Sequence, residues 1–161
     1  MSQTLASTRF AIFTMGLPAA GKSTYVATVY PDSVVIDPDA IKEAHPEYDP
    51  KKPQELHAYS KEISEKRFAE ALMNPVSSLV VDGTGTNAEK LVRRIEQARD
   101  AGYHITLAYV KCTLKTSLRR NAARPRVVPE HIIKEKARDV STSFTLVSPY
   151  ADEIVVIDTD R

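Results

Sequence analysis

Two rhythms of hydrophobic positions alternate along the chain. Short unbroken apolar runs, of a length suited to buried strands, stand at residues 10–15 (FAIFTM), 33–37 (SVVID), 78–82 (SLVVD), 104–110 (HITLAYV) and 153–158 (EIVVID). Between them lie stretches with helical spacing or helix-boundary residues, at 22–30, 39–44, 53–73, 87–101, 113–122 and from about 129 onward. Pro53 suits the first turn of the third stretch, Asn74-Pro75 stops it, and Gly102 suits the position just past the fourth. Within the third, Leu56, Tyr59 and Ile63 share one face whereas Phe68 and Leu72 lie on another, which predicts a bend or a change of packing partner. Strands alternating with helices imply right-handed crossovers and a parallel sheet covered on both faces. The expected fold class is therefore α/β, three layers around a mainly parallel five-stranded sheet. Residues 1–161 read as a single domain, with residues 1–8 a flexible N-terminus.

Composition narrows the setting more than the chemistry. At 161 residues, 42 % of them apolar and 27 % charged, the chain can bury an ordinary core without staples. Its one cysteine, Cys112, has no partner for a disulfide or a structural zinc site. No apolar run approaches the ~20 residues that cross a bilayer, and the N-terminus lacks a secretory pattern. A cytoplasmic location and no membrane partner are expected. The formal net charge of +1 argues against coating a nucleic acid, although one basic cleft could still hold a strand end.

Candidate chemistry begins where the first strand ends. Gly16, Leu17, Pro18, Ala19, Ala20, Gly21, Lys22, Ser23 and Thr24 contain G-x-x-x-x-G-K followed by Ser, between a strand and a helix. Glycines allow close backbone approach, successive N–H groups turn inward around a phosphate, and the helix N-terminus favours its charge. Lys22 then reaches the β- and γ-phosphates and the Ser23 hydroxyl coordinates Mg2+. A P-loop NTPase fold with ATP and Mg2+ follows as the expectation. A regulatory GTPase would account for D-x-x-G at Asp82 to Gly85, but N-K-x-D is absent. The short chain suits a small-substrate kinase better.

Three further groups fit phosphoryl transfer. Asp39, past the second strand, is either the N-cap of the next helix or a general base that accepts the proton of an attacking hydroxyl; beside a P-loop the base is preferred. Asp37 shapes the turn or helps position Mg2+ through water. Asp82 and Thr84 end the third strand, placed to hold metal-bound water or acceptor, or merely to form a turn with Asn87 as N-cap. Arg119, Arg120, Arg124 and Arg126 surround a loop at 120–129 that reads as a lid neutralising the transferred charge. His57, His104 and His131 carry no ligand role in this reading, Arg67 is as readily a snorkelling side chain as a cleft residue, and Tyr48 and Tyr59 are packing residues.

GLPAAGKST, IDPDAIK, VVDGTGTN and RRNAARPRVVP, in that order from about residue 9 to 158, resemble the P-loop kinases grouped around phage polynucleotide kinase and the zeta toxins. The resemblance implies that Asp39 activates a 5′-hydroxyl and that Arg120 and Arg124 are paired lid arginines. Lys42 stands where the family has an acceptor-binding arginine, a departure because lysine lacks the bidentate fork. His45-Pro-Glu-Tyr48-Asp and Asp82-Gly-Thr84 look like zeta-toxin segments, the latter one that holds a UDP-sugar. The acceptors implied are a polynucleotide 5′-hydroxyl, a hydroxymethyl-pyrimidine in DNA, or a UDP-sugar or other alcohol, with Asp39, Lys42, Asp82, Thr84 and Arg126 on the acceptor side. A nucleotide-binding ATPase or switch without acceptor is the reading from another class.

Overall fold

The computed structural model describes residues 8–125 and 127–160; the flexibility expected of the first eight residues falls, but for Thr8, outside the described residues. Strands β1 (Arg9–Met15), β2 (Val34–Ile36), β3 (Ser78–Val81), β4 (Tyr103–Lys111) and β5 (Glu153–Asp158) form one sheet in the order β2-β3-β1-β4-β5. Every pairing is parallel, with Ile12 opposite Val80 on one side and Thr106 on the other. Helices α1 (Lys22–Val29), α2 (Pro38–Glu43), α3 (His57–Met73), α4 (Ala88–Asp100), α5 (Leu114–Ala122) and α6 (Glu130–Val147) connect them. The expected elements are all present. Strand β2 is shorter than expected, and the long third helix starts at His57 behind a 3-10 turn at Pro53–Leu56.

The two faces of the sheet are unequal. One carries the main core, in which Phe13, Met15, Leu79, Ile105 and Leu107 meet Phe68 of α3, Leu91 and Ile95 of α4, and Val140 and Val147 of α6. The other has a small cluster of Ile12, Val80 and Ala108 under Val26 of α1. The third layer is thus thin, which leaves Phe10 and Val35 half exposed. Since α1 follows β1 on the thin face and α4 follows β3 on the thick one, the two crossovers diverge over neighbouring strands. A crevice opens beyond the carboxyl ends of β1 and β3, where ligands of open α/β sheets bind.

Helix α3 packs Tyr59 against His45 near its start and Phe68 and Ala71 into the main core further on. Its buried face is Ser60, Ser64, Phe68 and Ala71, at i, i+4, i+8 and i+11. Two of the four are small serines, so a search for a continuous apolar stripe misses the face. The small side chains let α3 sit close to α2, while Tyr59 stays 40 % exposed and packs edge-on against His45. Arg67 is exposed and takes no part in the crevice.

Candidate active site

The phosphate loop is a backbone structure held from behind by side chains. Gly16 has φ 148°, and a Cβ there would stand 2.2 Å from the Val110 carbonyl oxygen, so only glycine fits. Gly21, with φ 104°, is the N-cap of α1. The carbonyls of Pro18, Ala19 and Ala20 each find a side-chain donor. Ser117 of α5 donates to the Pro18 carbonyl at 2.6 Å in a buried contact, and Thr159 donates to Ala20 at 2.6 Å. Arg120 donates to the carbonyls of Ala19 and Ala20 at 3.4 and 3.5 Å and to Thr159 O at 2.5 Å. Asp160 accepts in turn from the backbone and hydroxyl of Thr113, the N-cap of α5. The last residues of the chain therefore clasp the first loop.

Lys22 lies along the mouth of this loop, donating to the carbonyls of Gly16 and Leu17 at 2.8 Å each. Burial lowers its pKa to about 8, although Asp82 and Asp39 hold it up. Ser23 and Thr24 face the same crevice, as do Pro18, Ala19 and Gly21. Leu17 and Ala20 are buried in the protein interior, so those two positions could serve a phosphate only through their backbone.

Past β2, Asp37 rather than Asp39 caps the helix. Its Oδ1 accepts from the Asp39 N–H at 2.9 Å, with Pro38 as the first residue of α2. Asp39 is thereby relieved of capping and lines the crevice. Burial, together with the neighbouring charges of Asp82 and Asp39, raises the Asp37 pKa to about 6. Asp82 is 8 % exposed and fixed by Thr14, whose hydroxyl donates to it at 2.5 Å and accepts from the Gly83 N–H at 3.1 Å. Burial raises the Asp82 pKa, against the pull of Thr14 and Lys22.

Ser23, Asp37 and Asp82 line a recess beside the main crevice. Hard oxygen donors around carboxylates that raise one another's pKa suit Mg2+, which keeps several water ligands and needs few protein ones. Among the described residues no three His, Cys, Asp or Glu side chains form a metal site by themselves. Ser23, Asp37 and Asp82 are the residues that could hold Mg2+ there.

The arginine segment is less a free lid than expected. Arg120 sits on α5, grips the back of the phosphate loop and borders the crevice together with Arg124. Arg126 lies outside the described residues. Asn121, 3 % exposed, staples the loop by donating to Val128 O at 2.8 Å and accepting from Val128 N–H at 3.0 Å. Asn87 is an N-cap, accepting from Lys90 N–H at 3.1 Å. Thr84 accepts from Gly16 N–H through its carbonyl at 3.0 Å, and its hydroxyl lies 3.4 Å from Lys136 Nζ.

The crevice encloses about 1100 Å³ and is also bordered by Lys42, His57, Lys90, His131 and Lys136. Lys42 is expected there, whereas His57 and His131 carry no ligand role in the sequence reading, and nothing in the spacing of Lys90 and Lys136 marks them. Thr14, Ser117, Asn121 and Thr159 were missed for the same reason: their function is a tertiary hydrogen bond. At the top of the usual range for ligand sites, the volume accommodates a nucleotide and a second molecule.

A phosphate loop between β1 and α1, on a parallel sheet of this strand order, defines the α/β P-loop kinase fold. Residues 12–146 match AAA_33, described as an AAA domain, and the chain belongs to that family. It is 25 % identical over 157 residues to the L-seryl-tRNA(Sec) kinase of Methanococcus maripaludis, covering 93 % of this chain and 60 % of that protein's length. A structure from the PezAT chromosomal toxin–antitoxin system of Streptococcus pneumoniae superposes with a TM-score of 0.67 at 18 % identity, over 95 % of this chain and 68 % of that one. AvrRxo1-ORF1:-ORF2 with ATP gives 0.63 at 18 % identity, over 90 % of this chain and 49 % of that one. No helix among the described residues is long and apolar enough to cross a membrane.

Proposed function

We propose that the chain is an ATP- and Mg2+-dependent kinase that transfers the γ-phosphoryl group to a hydroxyl on a nucleic acid or nucleotide. The observation that carries this reading is Asp39. Its carboxylate is freed from capping by Asp37, faces the phosphate loop across one crevice, and lies near enough to Lys22 to bias its charge. Asp39 takes the proton of the acceptor hydroxyl, whose oxygen bonds to the γ-phosphorus as the bond to the β–γ bridging oxygen breaks and ADP departs. Lys22 and Arg124 offset charge on the transferred oxygens, and Arg120 holds the loop that presents them. Mg2+, when bound, supplies further charge neutralisation at those phosphates. Lys42, Asp82 and Thr84 face the acceptor.

The name of the archaeal relative, a kinase of a seryl-tRNA, supports an acceptor alcohol attached to nucleic acid. The test is transfer of label from γ-labelled ATP to 5′-hydroxyl DNA and RNA, hydroxymethyl-pyrimidine DNA, seryl-tRNA and UDP-sugars. Label in a nucleic acid or nucleotide acceptor is the expected result. ATP bound or hydrolysed with label in none of them would sink the proposal.

A further inference from the structure

The crevice holds an imbalance of charge that the nucleotide alone does not explain. Among the described residues six cationic side chains border it, Lys22, Lys42, Lys90, Arg120, Arg124 and Lys136, against three carboxylates, Asp37, Asp39 and Asp82. The whole chain carries only +1, so the excess is local. Lys22, Arg120 and Arg124 belong to the phosphate loop and its clasp. The other three come from three different helices, Lys42 on α2, Lys90 in the first turn of α4 and Lys136 on α6. They converge around His57 at the start of α3. Burial lowers the His57 pKa, and the charges of Lys42, Lys61, Lys90 and Lys136 lower it further, which places four ammonium groups within electrostatic reach of one imidazole.

Asp39 attracts Lys136 and Glu65 attracts Lys90 from a distance, but neither pair closes to an ion pair. Lys42 is only 9 % exposed, yet among the described residues neither it nor Lys90 or Lys136 is ion-paired. A buried, unpaired ammonium is costly, and so is a group of like charges. Such an arrangement becomes favourable when an anion enters. Lysines, unlike the flat fork of an arginine, are point charges with rotatable donors that can surround a tetrahedral dianion from several sides. A cleft lined by one sign of charge also concentrates ligands of the other.

We infer that Lys42, Lys90 and Lys136, gathered around His57, form a second anion subsite that holds a phosphate group carried by the acceptor alcohol. The inference rests on the kinase reading for its word acceptor, and it assigns to that reading the residues that would recognise the acceptor's own phosphate. A nucleic-acid strand, a nucleotide or a UDP-sugar meets the requirement; a simple polyol does not.

The test uses the full chain saturated with Mg2+ and AMP-PNP, so that the phosphate loop is filled. Thymidine, thymidine 3′-phosphate, a UDP-sugar and inorganic phosphate are titrated separately by calorimetry. Thymidine 3′-phosphate or the UDP-sugar should bind at least roughly tenfold more tightly than thymidine. Lys90→Glu combined with Lys136→Glu should abolish that difference, and Lys90→Arg, which keeps the charge, should retain most of it. Circular dichroism and AMP-PNP affinity, measured on the same variants, separate loss of the subsite from loss of the fold. Weak inorganic phosphate with a tight phosphorylated acceptor supports an acceptor subsite, whereas inorganic phosphate as tight as either acceptor overturns it in favour of a free-phosphate site. Equal binding of thymidine and its phosphate, or a preference that survives both charge reversals, overturns the subsite while leaving the kinase reading standing. If AMP-PNP does not bind, the kinase reading falls. The same titration in a Lys22→Ala background then judges the lysines by the same criteria.

Discussion

The donor end of the crevice and its acceptor end are built on different plans. At the donor end the working surface is main chain, the loop of residues 16–22, and its supports are the hydrogen bonds of Ser117, Arg120 and Thr159 to the carbonyls of Pro18, Ala19 and Ala20. At the acceptor end the surface is side chain, one residue from each of several helices, with Thr84 touching Lys136 and Asp82 pinned by Thr14. A main-chain cradle needs consecutive residues of particular shape and so leaves a motif. A side-chain cluster needs only that helices converge, and convergence leaves no local trace. The same contrast predicts different sensitivities: donor-end changes should move nucleotide binding, acceptor-end changes turnover and acceptor affinity.

The largest effect should come from Lys22→Ala, with phosphoryl transfer falling roughly a thousandfold as a charge-stabilising group is lost. Near-normal transfer in a radiolabel assay would remove Lys22 from the phosphate site. Asp39→Asn should lower kcat by a factor of ~100 while ATP still binds as in the wild type. A change confined to ATP affinity would place Asp39 at the donor end and break the division. The pH profile should sharpen it further. Lys22 is charged below its pKa of about 8 and loses its proton above it. The kcat/KM for ATP should therefore fall about tenfold from pH 7 to pH 9. Lys22→Arg, which stays charged, should flatten that limb, and an unaltered alkaline limb would assign it to another group.

Smaller effects test the supports. Ser117→Ala removes one buried bond to the loop and should weaken nucleotide binding about fivefold with the acceptor KM unmoved. A matching loss of acceptor affinity would mean the clasp supports the whole crevice. The smallest concerns Asp37, whose pKa rises from 3.8 to about 6. The folded chain holds this proton more tightly than the unfolded one, so stability falls as pH climbs from about 4 to 6, and the cost remains at pH 7. Asparagine caps as well as aspartate, so Asp37→Asn should raise Tm by a few degrees at pH 7, on the order of 1 kcal/mol, and not at pH 4. Equal Tm changes at both pH values would show that its ionisation is not what costs stability.

Most of the fold could be read along the chain because its signals are local. Strand β5 occupies the expected residues 153–158, and Gly102, with φ 98°, sits just past the end of α4. What could not be read depends on partners distant in sequence. The serine face of α3 is invisible because close approach rewards small size, not hydrophobicity. Asp39 was seen, but which aspartate caps α2 was settled by a single hydrogen bond. Arg120 was recognised as important on the strength of its neighbours, yet whether it points at a phosphate or at the back of the loop depends on the docking of Thr159. His57, Lys90 and Lys136 look like solvent-facing residues until the helices that bear them are brought together.

The clasp on the phosphate loop spans nearly the whole polypeptide, for Thr159 reaches Ala20 across 139 positions. During synthesis the loop emerges well before its fastener, which follows 139 residues later. Contacts of such long sequence separation are closed late, after the loop entropy between them has been overcome. A nascent chain that has already paired β1 with β3 would still carry a slack phosphate loop. Tight nucleotide binding would then begin only when β5 docks, which makes the bound nucleotide a reporter of that docking and lets it stabilise the docked state by mass action.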